Sequence, residues 1–187
     1  AMMRFEYQDA DVIAVIQDYA KASGQRFVID TGVKGKVTVI NPSKVTIDEA
    51  FNQLSTALAT NGLAISKQGD VMLVQPARNI QRNLIDVTTE LPPLKPEKMV
   101  TWVINLKHAN ADDINRQLRI LTSKDGELVP YAATNQILVS DWVSNLHRIG
   151  KIIAQIDRPG RMKTFTKPGF PPKPAAPPKP TAEEKED

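Results

Sequence analysis

Lys34-Gly35-Lys36-Val37-Thr38-Val39-Ile40-Asn41 opens the stretch whose reading decides the fold. A helix-like run over 46–60 follows, then Asn61-Gly62-Leu63, and an alternating run over 70–74 closes it. Thr46 with Glu49 three residues on matches a capping box. Ala50, Phe51, Leu54, Ala57 and Leu58 supply one apolar helix face. Residues 63–66 and 71–75, joined through Lys67-Gln68-Gly69-Asp70, read as a hairpin with a glycine-containing turn. A glycine-broken strand, a capped helix, an Asn-Gly stop and a hairpin thus stand in one order. No catalytic constellation lies near them, so the pattern points to a small module that is bound, stacked or assembled.

Upstream, Phe5 and Tyr7 alternate with polar neighbours, which predicts a short strand over Arg4, Phe5, Glu6, Tyr7 and Gln8. Asp9 or Asp11 can cap the helix that follows, where Val12, Ile13, Val15, Ile16, Tyr19 and Ala20 form a core-facing stripe. Gly24 sits where a left-handed helix stop belongs. Phe27, Val28 and Ile29 read as a buried strand. Ala1-Met2-Met3 ahead of this unit reads as an expression scar, so a missing leader is uninformative about compartment. The first unit spans 4–76. Residues 77–98 read as a linker, since Leu91-Pro92-Pro93-Leu94-Lys95-Pro96 suits neither helix nor sheet, although 83–88 is strand-like.

A second unit spans 99–158. An alternating strand over 100–106 precedes a helix capped by Asn110 that carries Ile114, Leu118 and Leu121. A hairpin then turns around Thr134-Asn135, and a last helix is lined by Val143, Leu146, Ile149, Ile152, Ile153 and Ile156. Strand, helix, strand, strand, helix is buried most simply as two helices on a three-stranded sheet, a KH-like arrangement. The fold class expected is α+β in two small domains, the first with two helices between small sheets. The remaining residues, 159–187, form a proline-rich tail. Eight of the chain's 14 prolines lie there, and Pro168, Pro171, Pro174, Pro177 and Pro180 keep the three-residue period of polyproline II. Too little apolar surface is present to offset chain entropy, so no packed structure is expected in it. Extended at ~3.1 Å per residue, the tail reaches roughly 85 Å.

Composition narrows the function. Cysteine is absent, which excludes disulfides, thiolate metal sites and cysteine nucleophiles. No run of 18 or more apolar residues is present, so no direct membrane insertion by a helix is expected. The net charge of +3 is spread thinly: −1 over 1–76, +1 over 77–100, +1 over 101–158 and +2 over 159–187. A nucleic-acid footprint needs basic charge concentrated on one surface, and no nucleic-acid partner is expected. His108 and His147, the only histidines, lack carboxylates at ligand spacing. Asp112-Asp113 and Asp48-Glu49 fall in first helical turns, where negative charge suits the helix dipole. No catalytic, cofactor or metal residues are expected. Trp102 and Trp142 read as core or subdomain packing before they read as interface anchors.

Several blocks carry a family resemblance. Phe5-Glu6-Tyr7-Gln8-Asp9-Ala10-Asp11-Val12, Phe27-Val28-Ile29-Asp30, Val33-Lys34-Gly35-Lys36-Val37-Thr38-Val39 and Thr46-Ile47-Asp48-Glu49-Ala50 resemble the first periplasmic N-domain of secretins. These are the ring-forming outer-membrane channels of type II secretion and type IV pilus systems. Val103-Ile104-Asn105-Leu106-Lys107-His108-Ala109-Asn110-Ala111 and Thr134-Asn135-Gln136-Ile137-Leu138-Val139-Ser140-Asp141 resemble the next N-domain. The match covers roughly residues 4–158. The first unit also resembles the signalling domain of TonB-dependent receptors, which leaves the second unit unexplained.

The secretin resemblance implies a non-catalytic periplasmic module. Its implied partners are the periplasmic part of an inner-membrane assembly protein, neighbouring secretin subunits in a ring, and in some members secreted cargo. No channel-forming β-rich domain is present. The expectation is a fragment cut at a linker or a poreless relative. Within that frame, the terminal amphipathic segment Arg4, Phe5, Glu6, Tyr7, Gln8 is the expected partner-binding edge. Gly32-Val33-Lys34-Gly35 is a GxxG of the kind KH domains use to clamp nucleic acid. Its place between two strands favours a plain turn.

Overall fold

Asp11 ends a strand and begins a helix, and much of the first unit follows from that junction. In a computed structural model of the chain, which describes residues 1–80 and 85–160, the Asp11 carboxylate accepts from the Ile13 N–H at 2.8 Å. It stands between β2 (Tyr7–Asp11) and α1 (Val12–Ser23). Gly24, at φ +74°, closes α1 with its N–H on the Ala20 carbonyl, the left-handed stop its lack of a Cβ permits. Val12, Val15, Ile16 and Tyr19 are the buried stripe of α1. After β3 (Arg26–Ile29), β4 (Lys36–Val39) and β5 (Val45–Thr46) comes α2 (Ile47–Thr60). The Thr46 hydroxyl caps α2 by accepting from the Glu49 N–H at 3.1 Å. The hairpin β6 (Leu63–Gln68) and β7 (Val71–Pro76) completes the unit.

The two helices pack between three small sheets, ordered β1-β5, β2-β4 and β3-β7-β6, where β1 is Met2–Met3. Tyr19 binds the layers together, with its ring 6.0 Å from Phe27 of β3 and 5.8 Å from Phe51 of α2. The start of the chain departs from expectation. Met2–Met3, read as a scar, pairs with Val45–Thr46, and Met3 joins the core. The strand expected over Arg4 to Gln8 begins at Tyr7 and runs to Asp11. The reason is Phe5: its side chain is fully buried, and its carbonyl accepts from the Asn41 side chain. That anchors the segment before the strand starts.

The second unit contains β8 (Asp86–Thr88), β9 (Met99–Asn105), α3 (Ala111–Leu118), β10 (Glu127–Tyr131), β11 (Gln136–Trp142) and α4 (Val143–Ile156). Its sheet has four strands in the order β10-β11-β9-β8, one more than expected. The addition is β8, whose residues pair in parallel with Val100, Thr101 and Trp102 of β9. Part of the segment read as linker is therefore built into a sheet. Pro130 sits in β10, at the edge of this order, where a strand tolerates a residue without an N–H. The tail expected over 159–187 lies, from 161 onward, outside the described residues.

Three polar side chains fix the second unit's loops. Asn135, at φ +50°, accepts from the Ala111 N–H at 2.9 Å and donates to the Ala109 carbonyl, tying the hairpin turn to the start of α3. The fully buried Asp141 accepts from the Ser123 N–H and hydroxyl, the Asn145 amide and the Trp142 N–H. Asp157, just past α4, accepts from the Lys107, His108 and Ala109 N–H groups at 2.6–2.9 Å. Buried charge is tolerated where hydrogen bonds satisfy it.

The two units touch through Ala64 and Ala77 on one side and Met99 and Trp142 on the other, all buried in one cluster. By strand alternation, Ala64 belongs to the face of β6 turned away from the first core. Met99 and Trp142, opposite one another in the ladder, likewise face away from the helices of their own sheet.

Two expectations follow. A Cβ at Gly150 of α4 would lie 2.9 Å from the Trp102 ring. Gly150→Ala should thus overpack the helix–sheet contact and cost about 1–3 kcal/mol, read as a lower urea midpoint. For Asp157, burial alone would raise the carboxyl. The Lys107, Ala109 and His108 N–H groups, with the charge of His108, outweigh it and hold the carboxyl below its ordinary 3.8. The stability this adds is complete above that value and is lost as pH falls through the lower folded one. Asp157→Asn should flatten the acid limb of stability against pH, measured by urea titrations across that range.

Candidate functional site

The residues singled out for binding lie around a two-stranded ribbon, β2 paired antiparallel with β4. Tyr7 stands opposite Val39 and Asp11 opposite Lys36, with a bulge between Tyr7 and Ala10. Within the bulge Asp9 takes φ +47°, a conformation that aspartate tolerates better than most side chains. Its N–H donates to the Thr38 hydroxyl at 3.0 Å, and its carboxylate meets Lys36 Nζ at 3.0 Å. Both partners of that ion pair are exposed, so it holds register more than it adds stability. At the other end the Val12 N–H donates to the Gly35 carbonyl at 3.0 Å, tying the start of α1 to the turn before β4.

Each of the five expected residues has a distinct place. Arg4 and Glu6 are exposed and pair with one another at 2.8 Å. Phe5 points into the core and presents no side chain to a partner, while packing edge-on against Tyr7 at 5.1 Å. Tyr7 is half-buried, and its hydroxyl donates to Asp18 at 3.3 Å. Gln8 is exposed. Arg4, Glu6, Tyr7 and Gln8 share one shallow concavity of about 570 Å³ with Thr38 and Val39 of the partner strand and Ile40 just past its end.

On its other flank β4 borders a second concavity, of about 440 Å³, whose far wall is α2 with Glu49, Asn52, Gln53 and Thr56. Ile40 lines both hollows and is 81% exposed. The end of the ribbon is stiffened beneath it, where the Asn41 and Gln53 amides hydrogen-bond reciprocally at 2.7 and 3.0 Å. Such an arrangement can accept an extended segment along a strand edge and an apolar side chain against Ile40. Sequence reasoning missed Ile40, Thr38 and Lys36 as site residues. The available signal was an isoleucine ending a strand directly before Asn41-Pro42, beyond reach of either helix stripe.

The remaining candidates fall apart as sites. Gly32-Val33-Lys34-Gly35 joins β3 to β4, and at Gly35, with φ +141°, a Cβ would run into the Asn61 side chain. The motif is a turn that needs glycine. The His147 ring contacts the Pro92 carbonyl at 2.7 Å, whereas the His108 backbone is held by Asp157. Asp112 and Asp113 start α3, and Asp113 pairs with Arg116. Among the described residues no group of three or more histidines or carboxylates could hold a metal ion. No helix of the described residues is long and apolar enough to cross a membrane.

The Tyr7 hydroxyl is pushed up to about 12, first by burial, then by the Asp18 charge and the hydrogen bond to it. Asp18→Asn removes the charge and leaves the burial. Tyr7 should then ionise at lower pH than in the parent, though still above the ordinary 10.0. Ultraviolet titration of the tyrosinate band, with Tyr7→Phe as the assignment control, checks this.

Comparison with known proteins bears on both units. Residues 5–74 match the model of the GspD-like N0 domain, and residues 101–162 match that of the bacterial type II/III secretion system short domain. Secretin XcpQ of Pseudomonas aeruginosa is 25% identical over 153 residues, which is 82% of this chain and 22% of the relative. Fimbrial assembly protein PilQ of the same organism is 28% identical over 171 residues, covering 85% of this chain and 23% of the relative. The chain thus spans less than a quarter of either relative's length. Among solved structures, the Klebsiella pneumoniae type II secretion system outer membrane complex of PulD, PulS and the PulC HR domain contains a chain of similar fold. The TM-score is 0.72 at 19% identity, over 83% of this chain and 27% of that one.

Proposed function

This chain belongs to the secretin family, spanning its N0 domain and the short N-domain that follows, and from that premise we propose that it is a non-catalytic assembly module of a type II secretion or type IV pilus channel. It works in the periplasm, associated with the outer membrane through a pore domain outside this chain. Its task is contact: with the periplasmic part of an inner-membrane assembly protein, and with neighbouring subunits in a ring.

The single observation that carries the partner reading is the β2–β4 ribbon. It is a two-stranded sheet with hollows on both flanks of β4 and an isoleucine exposed between them. A strand edge supplies backbone hydrogen bonds to an incoming segment, while side chains set its register. The Klebsiella complex, which holds an HR domain of PulC beside PulD, supports a partner of this kind. Arg4, Glu6, Tyr7 and Gln8 form one wall of the docking surface, and Ile40 is its apolar centre. An isolated copy is monomeric, because weak lateral contacts between small domains rely on the avidity of the complete ring.

The test is an NMR titration of the full chain with the periplasmic fragment of its cognate inner-membrane partner. Shifts should centre on Tyr7–Asp11 and Lys36–Val39. Ile40→Asp, at a position exposed enough to leave the fold intact, should weaken binding about tenfold, the scale of a modest interface anchor. Shifts confined to the second unit, or none at high partner concentration, would remove this docking surface.

A further inference from the structure

Asn61-Gly62 is the only Asn-Gly pair in the chain. In an open chain such a pair is chemically labile, because glycine has no side chain to hinder its own nitrogen. The Gly62 nitrogen, losing its proton, attacks Asn61 Cγ. The Cγ–Nδ2 bond breaks, and Nδ2 leaves as ammonia with a proton in place of that bond. Water then opens the five-membered imide at either carbonyl. One opening leaves aspartate, the other an isoaspartate whose main chain runs through Cβ and Cγ.

Here the pair caps the end of α2, and the fold holds each group that the reaction needs. The Gly62 N–H donates to the Ala59 carbonyl at 2.9 Å. Asn61 Nδ2 donates to the Ala57 carbonyl at 3.1 Å and, at 3.4 Å, to that of Lys36, the first residue of β4. With ψ at 7°, the Asn61 Cβ lies well out of the plane of the peptide that joins it to Gly62. Ring closure needs Cβ near that plane. The Gly62 carbonyl accepts from the Ala77 N–H at 2.8 Å, and Ala77 belongs to the seam between the units.

We infer that Asn61 is a conditional deamidation site: silent while the end of α2 is closed, reactive once it opens, and permanently altered after it has reacted. The product cannot restore the cap. An ionised aspartate only accepts, so both donations from residue 61 are lost. The Ala57 carbonyl keeps the Thr60 hydroxyl at 2.7 Å, whereas Lys36 loses its bond to the end of α2. The new charge also opposes the negative end of the α2 dipole. The exposed Lys124 ammonium, 3.7 Å from where a Cβ on Gly62 would stand, attracts that charge but restores neither donation. Isoaspartate goes further, since its lengthened main chain shifts the Gly62 carbonyl relative to Ala77. One reaction therefore loosens the start of β4 and the seam together. The inference stands on the α2 cap and does not depend on the partner reading.

The experiment compares the full chain in mildly alkaline buffer with the same chain unfolded in urea at the same pH. Deamidation at residue 61 is followed by peptide mass mapping. Folding should slow it by more than about tenfold, since the folded chain reacts only during the fraction of time that the end of α2 is open. Asn61→Asp installs one product directly. It should speed hydrogen exchange over Lys36–Val39 by about fivefold, the weight of one net hydrogen bond. Equal deamidation rates in the folded and unfolded chain overturn the inference, as does an Asn61 that stays unreactive in urea. Unchanged exchange over Lys36–Val39 in Asn61→Asp overturns it equally. Should that variant fail to fold, the two rates in the parent chain decide.

Discussion

Trp142 sits where a strand end, a helix start and the contact between the two units meet. It ends β11, stands in the capping position of α4, and pairs across the ladder with Met99 of β9. Its ring is buried against Met99, Ala64 and Ala77. Just beyond it, the Val143 N–H donates to the Lys98 carbonyl. Strand end, helix start and the docking of two units are therefore settled at one place. Burying an indole contributes most where the facing residues are small enough to be covered by it, and Ala64 and Ala77 meet that condition. Any change in the angle between β11 and α4 would be felt in the contact between the units.

Much of the fold could be read from local chemistry. Thr46 and Asn110 announced helix starts, and Asp11 was one of the two caps, with Asp9, that the sequence allowed for the first helix, because capping depends on residues a few positions apart. Gly24 and the Gly69-Asp70 turn were legible for the same reason. Strand β8 was legible as part of the strand-like run over 83–88, but its place in the second sheet was not, because three residues in parallel with β9 gain their partner from distant chain. The start of β2 was misplaced by three residues. Phe5 and Tyr7 show the alternation of a strand, yet Phe5 is drawn into the core, and the bulge at Asp9 shifts the pairing that follows. Of the ribbon, Arg4 to Gln8 were singled out from the sequence as a terminal amphipathic segment, while Ile40 read only as part of a glycine-broken strand. The seam was illegible, since Ala64, Met99 and Trp142 lie on outward faces that a one-sided pattern assigns to solvent.

The candidate ribbon and the seam use opposite physical strategies. The ribbon exposes apolar surface on a small sheet whose ion pairs are exposed and cheap to rearrange. The seam covers apolar surface but leaves the Ser66 hydroxyl and the Gln75 amide nitrogen buried without partners among the described residues. Buried polar groups of this kind weaken a contact that area alone would favour. The seam is accordingly a joint of moderate strength between two well-packed bodies.

Pro130 has a consequence beyond its own strand. An unprotected sheet edge is a template for strand addition from another chain. At β10 the pyrrolidine nitrogen offers no hydrogen to a newcomer, and at the opposite side β8 is only three residues long. Both borders of the second unit's sheet are therefore poor nuclei for fibre growth. Edge-to-edge addition is discouraged at both borders, by one imino acid and one short strand.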